Sequence, residues 1–269
     1  MNRIEKKLKQ VKADGRKGFI PFVTAGDPDL DTSLEIVLKL SEFGADVIEL
    51  GVPFSDPMAD GPTIQRSSQR ALENGVDLKA VLSLVERFRE KSHTPIVLFS
   101  YLNPLLRFGL DDLADTAAKI GVDGVLVTDA IDEEAAEISK ILATRQMDLI
   151  SLIAPTTTDE RLKKICDNAA GFIYAVSRAG VTGARDETSA AAETLVKRAR
   201  SFTDLPIAVG FGISTRKQIL DVWQYADAAV VGSAIVAEIE RSEAINSVRS
   251  IEAFLTQLLP QFAKASEDI

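Results

Sequence analysis

Glu49 stands inside an apolar run, Val47-Ile48-Glu49-Leu50-Gly51-Val52. Strand side chains alternate between faces, so Ile48 and Leu50 share one face and Glu49 takes the other. If Ile48 and Leu50 pack under helices, Glu49 points to the inside. A buried carboxylate needs a partner, and a structural Glu in an internal ion pair is the plain alternative. The runs that read as strands carry no Lys or Arg, however. An inward Glu without a cation has a raised pKa, which suits a group that both gives and takes a proton. Asp60 closes the loop PFSDPMADGP, and the helical pattern TIQRSSQRALENG follows Gly61-Pro62. Proline favours a first helical turn, so Asp60 falls near a helix N-terminus. The helix dipole there favours the ionised form; an ordinary N-cap Asp is the alternative. One desolvated carboxyl and one kept charged match a divided acid–base pair.

Glycines close two late apolar runs, at Gly210-Phe211-Gly212 and at Gly232-Ser233, and Gly183 in SRAGVTGA could join them. Glycine lets backbone N–H groups approach an anion closely; tight turns are the alternative for each taken singly. The chain itself is acidic. Lys and Arg number 31 against 40 Asp and Glu, a net charge of -9 over 269 residues. That argues against nucleic acid or anionic membrane as partner, so a phosphorylated substrate must be held by a local device. One cysteine, Cys166, and one histidine, His93, exclude a disulfide framework, multi-Cys metal sites and His-rich zinc sites. His93 precedes an apolar run and reads as structural, and Cys166 faces the core of an amphipathic helix. A Schiff-base aldolase wants a strand lysine, and a metal aldolase wants several ligands. Neither is present, which leaves proton transfer on a phosphate ester, run by carboxylates.

The elements that must hold these groups recur with one rhythm. Near-continuous apolar runs begin at Gly18, Asp46, Pro95, Asp123, Asp148, Gly171, Pro206 and Asp227. Such runs suit parallel strands buried on both faces, and segments of helical period lie between them. Eight strands alternating with helices predict an α/β fold, a single (β/α)8 TIM barrel over residues 1–269. A doubly wound sheet is the alternative, but no GxGxxG follows the first strand. The charged, amphipathic start, MNRIEKKLKQVKADGRK, predicts an extra N-terminal helix and no secretory signal. The apolar stretch from Ala228 to Ala237 is too short to span a bilayer, so a soluble, cytoplasmic protein is expected. The units after strands 2 and 6 are overlong. Surplus in such loops serves function, which points to the loops after Val52 and after Ser177. The latter, Ser177 to Gly183 and on through Asp186, has little apolar anchoring and is expected to open and close. Closure could bring the Thr182 hydroxyl to Asp60.

ELGVPFSDPMADGPTIQ (Glu49 to Gln65) with SRAGVTG (Ser177 to Gly183) resembles the tryptophan synthase alpha subunit family, and PFVTAGDP, GFGIS and VVGSA agree. The resemblance covers nearly the whole chain. It implies a (β/α)8 barrel that cleaves indole-3-glycerol phosphate to indole and glyceraldehyde 3-phosphate. It further implies no cofactor in this chain, and an alpha2-beta2 complex whose beta subunit carries pyridoxal phosphate. By resemblance, Glu49 acts as acid and base at the indole C3 and the glycerol hydroxyl, and Asp60 holds the indole N–H. Phe22, Tyr101, Tyr174 and Phe211 line the indole pocket, Gly183, Gly212, Gly232 and Ser233 hold the phosphate, and Thr182 serves loop closure. Pro53, Phe54 and Met58 form an apolar set suited to the partner. The turn after strand 4 departs from the family at Thr128, which bears on one pocket wall. Three alternatives stay open: another phosphate-binding barrel enzyme, a free-standing indole-releasing lyase, and a non-catalytic protein that only regulates the partner.

Overall fold

A computed structural model describes residues 2–176, 185–210, 212–242 and 246–260, with the side chains of 185–189 left aside. Eight parallel strands close into a barrel in sequence order: β1 (Gly18–Thr24), β2 (Ile48–Gly51), β3 (Ile96–Ser100), β4 (Gly124–Val127), β5 (Asp148–Ile153), β6 (Ile173–Val176), β7 (Ile207–Gly210) and β8 (Ala228–Val231). β8 returns to pair with β1, Ile20 opposite Val230. The helices are α1 (Arg3–Ala13), α2 (Leu30–Glu42), α3 (Pro62–Glu73), α4 (Leu78–Arg89), α5 (Leu102–Phe108) and α6 (Leu110–Ile120), followed by α7 (Asp132–Ala143), α8 (Asp159–Asn168), α9 (Arg185–Arg200), α10 (Arg216–Val222), α11 (Ser233–Arg241) and α12 (Ser247–Leu258). All eight expected strands form. Among the described residues no helix is long and apolar enough to cross a membrane.

Alternation sorts the strand side chains into two cores. Ile48, Leu50, Leu98 and Val209 pack outward under the helices, while Ile20, Val97, Leu126 and Ile150 fill the barrel. Both faces being buried explains why the strands read as continuous apolar runs. The expected N-terminal helix is α1. Asn2 caps it by accepting from the Glu5 N–H at 3.0 Å, and Ile4, Leu8 and Val11 form its buried face. Ile4 and Leu8 belong to the inner core, so α1 stoppers the N-terminal end of the barrel. Gly124 makes room for it: a Cβ there would stand 3.1 Å from the Ile4 Cδ1.

The same end is braced by aspartates at strand starts. The Asp46 carboxylate accepts from the Phe19 N–H at 3.0 Å, Asp123 from the Ile96 N–H at 2.8 Å and Asp227 from the Ile207 N–H at 2.8 Å. Arg16, Arg89 and Arg200 pair with these aspartates in turn. His93 is exposed in the loop before β3 and Cys166 is buried in α8, as their patterns predict.

The surplus after β2 is a ten-residue stretch, 52–61 counted to the N-cap, followed by the additional helix α3. Two details differ from expectation. The β3–β4 unit holds a second short helix, α5, where only the segment of α6 reads as helical. The strand-6 loop, expected to run through Asp186, gives way to α9 at Arg185; its residues 177–184 lie outside the described residues.

The stopper generates a stability prediction. Ile4→Ala removes three buried carbons from the sealed end and should cost about 2–5 kcal/mol. Urea unfolding is expected to show a lower midpoint with an unchanged slope.

Candidate active site

At the other end of the barrel, beyond the C-terminal ends of the strands, lies a cavity of about 330 Å³. Its floor and walls are Phe22, Glu49, Phe99, Tyr174 and Val230, and its rim runs from Asp60 to Ile64 and through Gly212, Gly232 and Ser233. Glu49 points inward as its parity requires, opposite Phe22 on β1 and Val97 on β3. It is fully buried, and among the described residues neither carboxyl oxygen has a hydrogen-bond partner. Burial alone pushes its pKa from the ordinary 4.5 up to about 8. Among the described residues the internal ion pair considered as an alternative does not form.

Asp60 stands one residue before the N-cap Gly61 of α3, and Gly61 has no side chain to cap with. Asp60 is therefore no ordinary N-cap. Its Oδ2 accepts from the Tyr101 hydroxyl at 3.1 Å. The expectation of a carboxylate left freely charged needs correction, because burial pushes its pKa up to about 6 against the opposing Tyr101 hydrogen bond. The pair is still divided: between pH 6 and 8 the Glu49 proton is held while the Asp60 proton is lost.

Phe22 and Tyr174 line the cavity as expected. Tyr101 does not. It ends β3 as the N-cap residue of α5, and its hydroxyl accepts from the Ala59 N–H at 2.9 Å while donating to Asp60. It fastens the loop from Pro53 to Asp60 beside the cavity. Phe54 lies against it, ring centroids 5.2 Å apart. Phe99 takes the wall position instead, edge-on to Phe22 at 5.2 Å and 77°. Phe99 shares parity with Val97 in PIVLFSY, a signal that could have singled it out. Ile64, in the first turn of α3, is a second wall residue that the pattern did not mark.

Two glycines around the cavity are dictated by close approach. A Cβ at Gly210 would lie 2.1 Å from the Tyr174 hydroxyl, and one at Gly232 would lie 3.2 Å from the Phe22 Cβ. Gly212 has φ +76°, a region that side chains other than glycine rarely adopt. Ser233, the first residue of α11, and its N-cap Gly232 line the cavity rim. Thr182, Gly183 and Phe211 lie outside the described residues. Thr128 is not on the cavity; its N–H and hydroxyl turn to the Ser100 carbonyl, at 3.0 and 3.4 Å. Of the apolar loop set, Met58 is exposed, Phe54 is half-buried against Tyr101 and Pro53 is buried, because the loop folds back on the barrel.

A parallel eight-stranded barrel with a lined cavity at its C-terminal mouth defines a (β/α)8-barrel enzyme. Comparison with known proteins narrows this. The family model for the tryptophan synthase alpha chain matches residues 8–265. The alpha chain of a Geobacter species is 46% identical over 266 residues, covering 99% of this chain and 100% of that one. The crystal structure of the alpha chain from Legionella pneumophila superposes with a TM-score of 0.86 at 35% identity, covering 95% of each chain. The crystal structure of a tryptophan synthase complex from Pyrococcus furiosus gives 0.81 at 39%, covering 90% of this chain and 97% of that one. The chain belongs to the tryptophan synthase alpha chain family. It is a lyase of tryptophan biosynthesis that cleaves indole-3-glycerol phosphate to indole and glyceraldehyde 3-phosphate. The alpha chain needs no cofactor of its own, and pyridoxal phosphate lies in the beta subunit.

The hydrogen bond from Tyr101 stabilises the charged form of Asp60. Tyr101→Phe should therefore move the acidic limb of the activity profile above about pH 6 and lower turnover most at its acid end. A pH–rate series on the variant checks this.

Proposed function

We propose that Glu49 and Asp60 divide the chemistry of the cleavage between them. Protonated Glu49 gives its proton to C3 of the indole ring. The ring becomes the electron sink, and Asp60, ionised, accepts the indole N–H and offsets the positive charge that develops. The Glu49 carboxylate then takes the proton of the adjacent glycerol hydroxyl. As that oxygen forms the aldehyde, the carbon–carbon bond breaks and its electron pair restores the indole. Glu49 ends protonated, ready for the next turnover. Neither a lysine nor a metal has a step in this sequence. The observation that carries the reading is Glu49 itself, a buried carboxyl on the cavity wall whose two oxygens have no partner among the described residues. A carboxyl kept for structure would be paired.

The ring fits between Phe22, Phe99 and Tyr174, whose faces and edges suit an aromatic substrate. The phosphate goes to Gly212, Gly232 and Ser233, where backbone N–H groups and the start of α11 favour an anion. The chain works as one domain over residues 1–269, in the cytoplasm, docked to a beta subunit. Supporting that partner, Met58, Leu106 and Ile131 are large apolar side chains left exposed. They stand on the segments that follow the neighbouring strands β2, β3 and β4, at the end of the barrel where indole would leave.

Two outcomes test the reading. Glu49→Gln should lower turnover by about 10²–10⁴-fold, with substrate still bound, and Asp60→Asn should also cripple it. The unaltered chain should show a bell-shaped kcat/KM. Activity falls below about pH 6 as Asp60 gains a proton and above about pH 8 as Glu49 loses one. Turnover of Glu49→Gln at the unaltered rate would sink the assignment. Separately, Gly232→Val puts a branched side chain against Phe22 and over the start of α11. Its affinity for glycerol phosphate should drop by more than about ten-fold, because charge-assisted hydrogen bonds are worth about 1.5–3 kcal/mol each. Calorimetric titration gives the answer.

A further inference from the structure

Two of the helices that border the cavity are tied together far from it. The first turn of α3 supplies Pro62, Thr63 and Ile64 to the rim, directly after Asp60, and α11 begins at the rim with Ser233. The two helices pack side by side. Arg70 stands eight residues after Pro62, and Glu240 stands seven after Ser233. At 1.5 Å per residue both lie about 10–12 Å from their helix starts, so they meet at matching depth. There the Arg70 Nη1 donates to the Glu240 Oε1 at 2.8 Å. Arg66, one turn nearer the rim, grips the same carboxylate through Nε and Nη2, at 2.6 and 2.7 Å.

A surface pair of this kind is ordinarily worth little. A third anchor makes this one different. Arg70 also makes two parallel bonds to Asp27, Nε to Oδ1 at 2.8 Å and Nη2 to Oδ2 at 2.9 Å. Asp27 is only 1% exposed, in the loop that leaves β1. The planar guanidinium is thus fixed on one side by a buried carboxylate, and its remaining nitrogen reaches Glu240 in a set direction. β1 holds α3 at a second point, where Thr24 and Ser67 share a hydrogen bond of 2.6 Å inside the molecule. α11 is therefore referred to α3, and α3 to β1.

We propose that the Asp27–Arg70–Glu240–Arg66 clasp sets the separation between the starts of α3 and α11, and so fits the site to the distance between the substrate's ring and its phosphate. This rests on the reading that places the ring beside Asp60 and the phosphate at α11. Arg70 and Glu240 are positioning residues: they touch no part of the substrate. A clasp that sets a separation acts only on ligands that span it. Indole alone and glycerol phosphate alone each use one helix start, whereas indole-3-propanol phosphate, which joins the two ends by an uncleavable chain, uses both.

The test is Glu240→Ala in the full chain, which frees α11 while leaving the buried Asp27–Arg70 pair intact. Indole and glycerol phosphate should bind within about two-fold of the unaltered chain. Indole-3-propanol phosphate should weaken by about ten-fold, and KM for indole-3-glycerol phosphate should rise in step, since misplacement of about 1 Å can cost up to 10²-fold. Glu240→Gln, which keeps a hydrogen-bonding oxygen, should recover most of the loss. Arg70→Met should repeat the pattern more strongly if it folds; if it does not, Glu240→Ala decides alone. Unchanged affinity for the spanning ligand overturns the proposal. So does an equal loss for all three ligands, which would mean general loosening. Failure of the underlying reading is distinguishable: glycerol phosphate would then bind Gly232→Val as well as it binds the unaltered chain.

Discussion

A carboxyl group buried in the barrel with no hydrogen-bond partner among the described residues is the constraint around which the molecule is arranged. Taking the Glu49 pKa from 4.5 to about 8 corresponds to disfavouring its charged form by about 5 kcal/mol. Between those two values the folded chain holds a proton that the unfolded chain has released. Stability therefore falls as pH rises through that window, by about 1.4 kcal/mol per unit, and the loss is complete above pH 8. A fold of ordinary marginal stability carries such a group only if the remainder is well braced. The consequence is chemical: a carboxylic acid that is still protonated at neutral pH is available for the acid and base role proposed for Glu49.

The bracing lies at the opposite end. α1 closes the barrel with Ile4 and Leu8, and Asp46, Asp123 and Asp227 each tie a strand start to its neighbour's N–H. Charges there are paired with arginines, so the buried Asp46 and Asp123 and the half-buried Asp227 are satisfied, where Glu49 has no partner among the described residues. The same residue class thus plays two parts. At the N-terminal end a carboxylate with a cation and an N–H holds strands in place; at the C-terminal end a carboxyl that meets neither among the described residues keeps its proton to higher pH.

How much of this the sequence discloses follows from which interactions are local. The eight strands are legible because burial on both faces leaves an unbroken apolar run, and Glu49 is legible because it interrupts one. Its inward direction follows from Ile48 and Leu50 alone. α5 is not legible: Leu102–Phe108 is seven residues long, carries Pro104 in its first turn and has no side-chain cap. Tyr101 is ambiguous for another reason. A tyrosine at a strand end reads equally as a wall or as a tether until the backbone of Ala59 is located beside it. The ties from Arg70 to Asp27 and to Glu240 span 43 and 170 positions. Helical spacing places Arg66 and Arg70 on one face but cannot name what they meet.

The acidity of the chain gives these long-range ties their importance. With a net charge of -9, the overall field repels a phosphate ester, and attraction has to arise within a few ångströms of the rim. Backbone N–H groups and a helix start act over that short range only, falling off within the first turn. Such a device gains nothing from a nearby but misplaced phosphate. With the phosphate at α11 as proposed, the position of that helix relative to the ring pocket matters more than it would beside a broad basic patch, where a displaced anion finds another cation. On the proposed reading, short-range recognition at the start of α11, Asp60 just before α3 and the Arg70–Glu240 tie between those two helices are parts of one solution to binding an anion in an acidic protein.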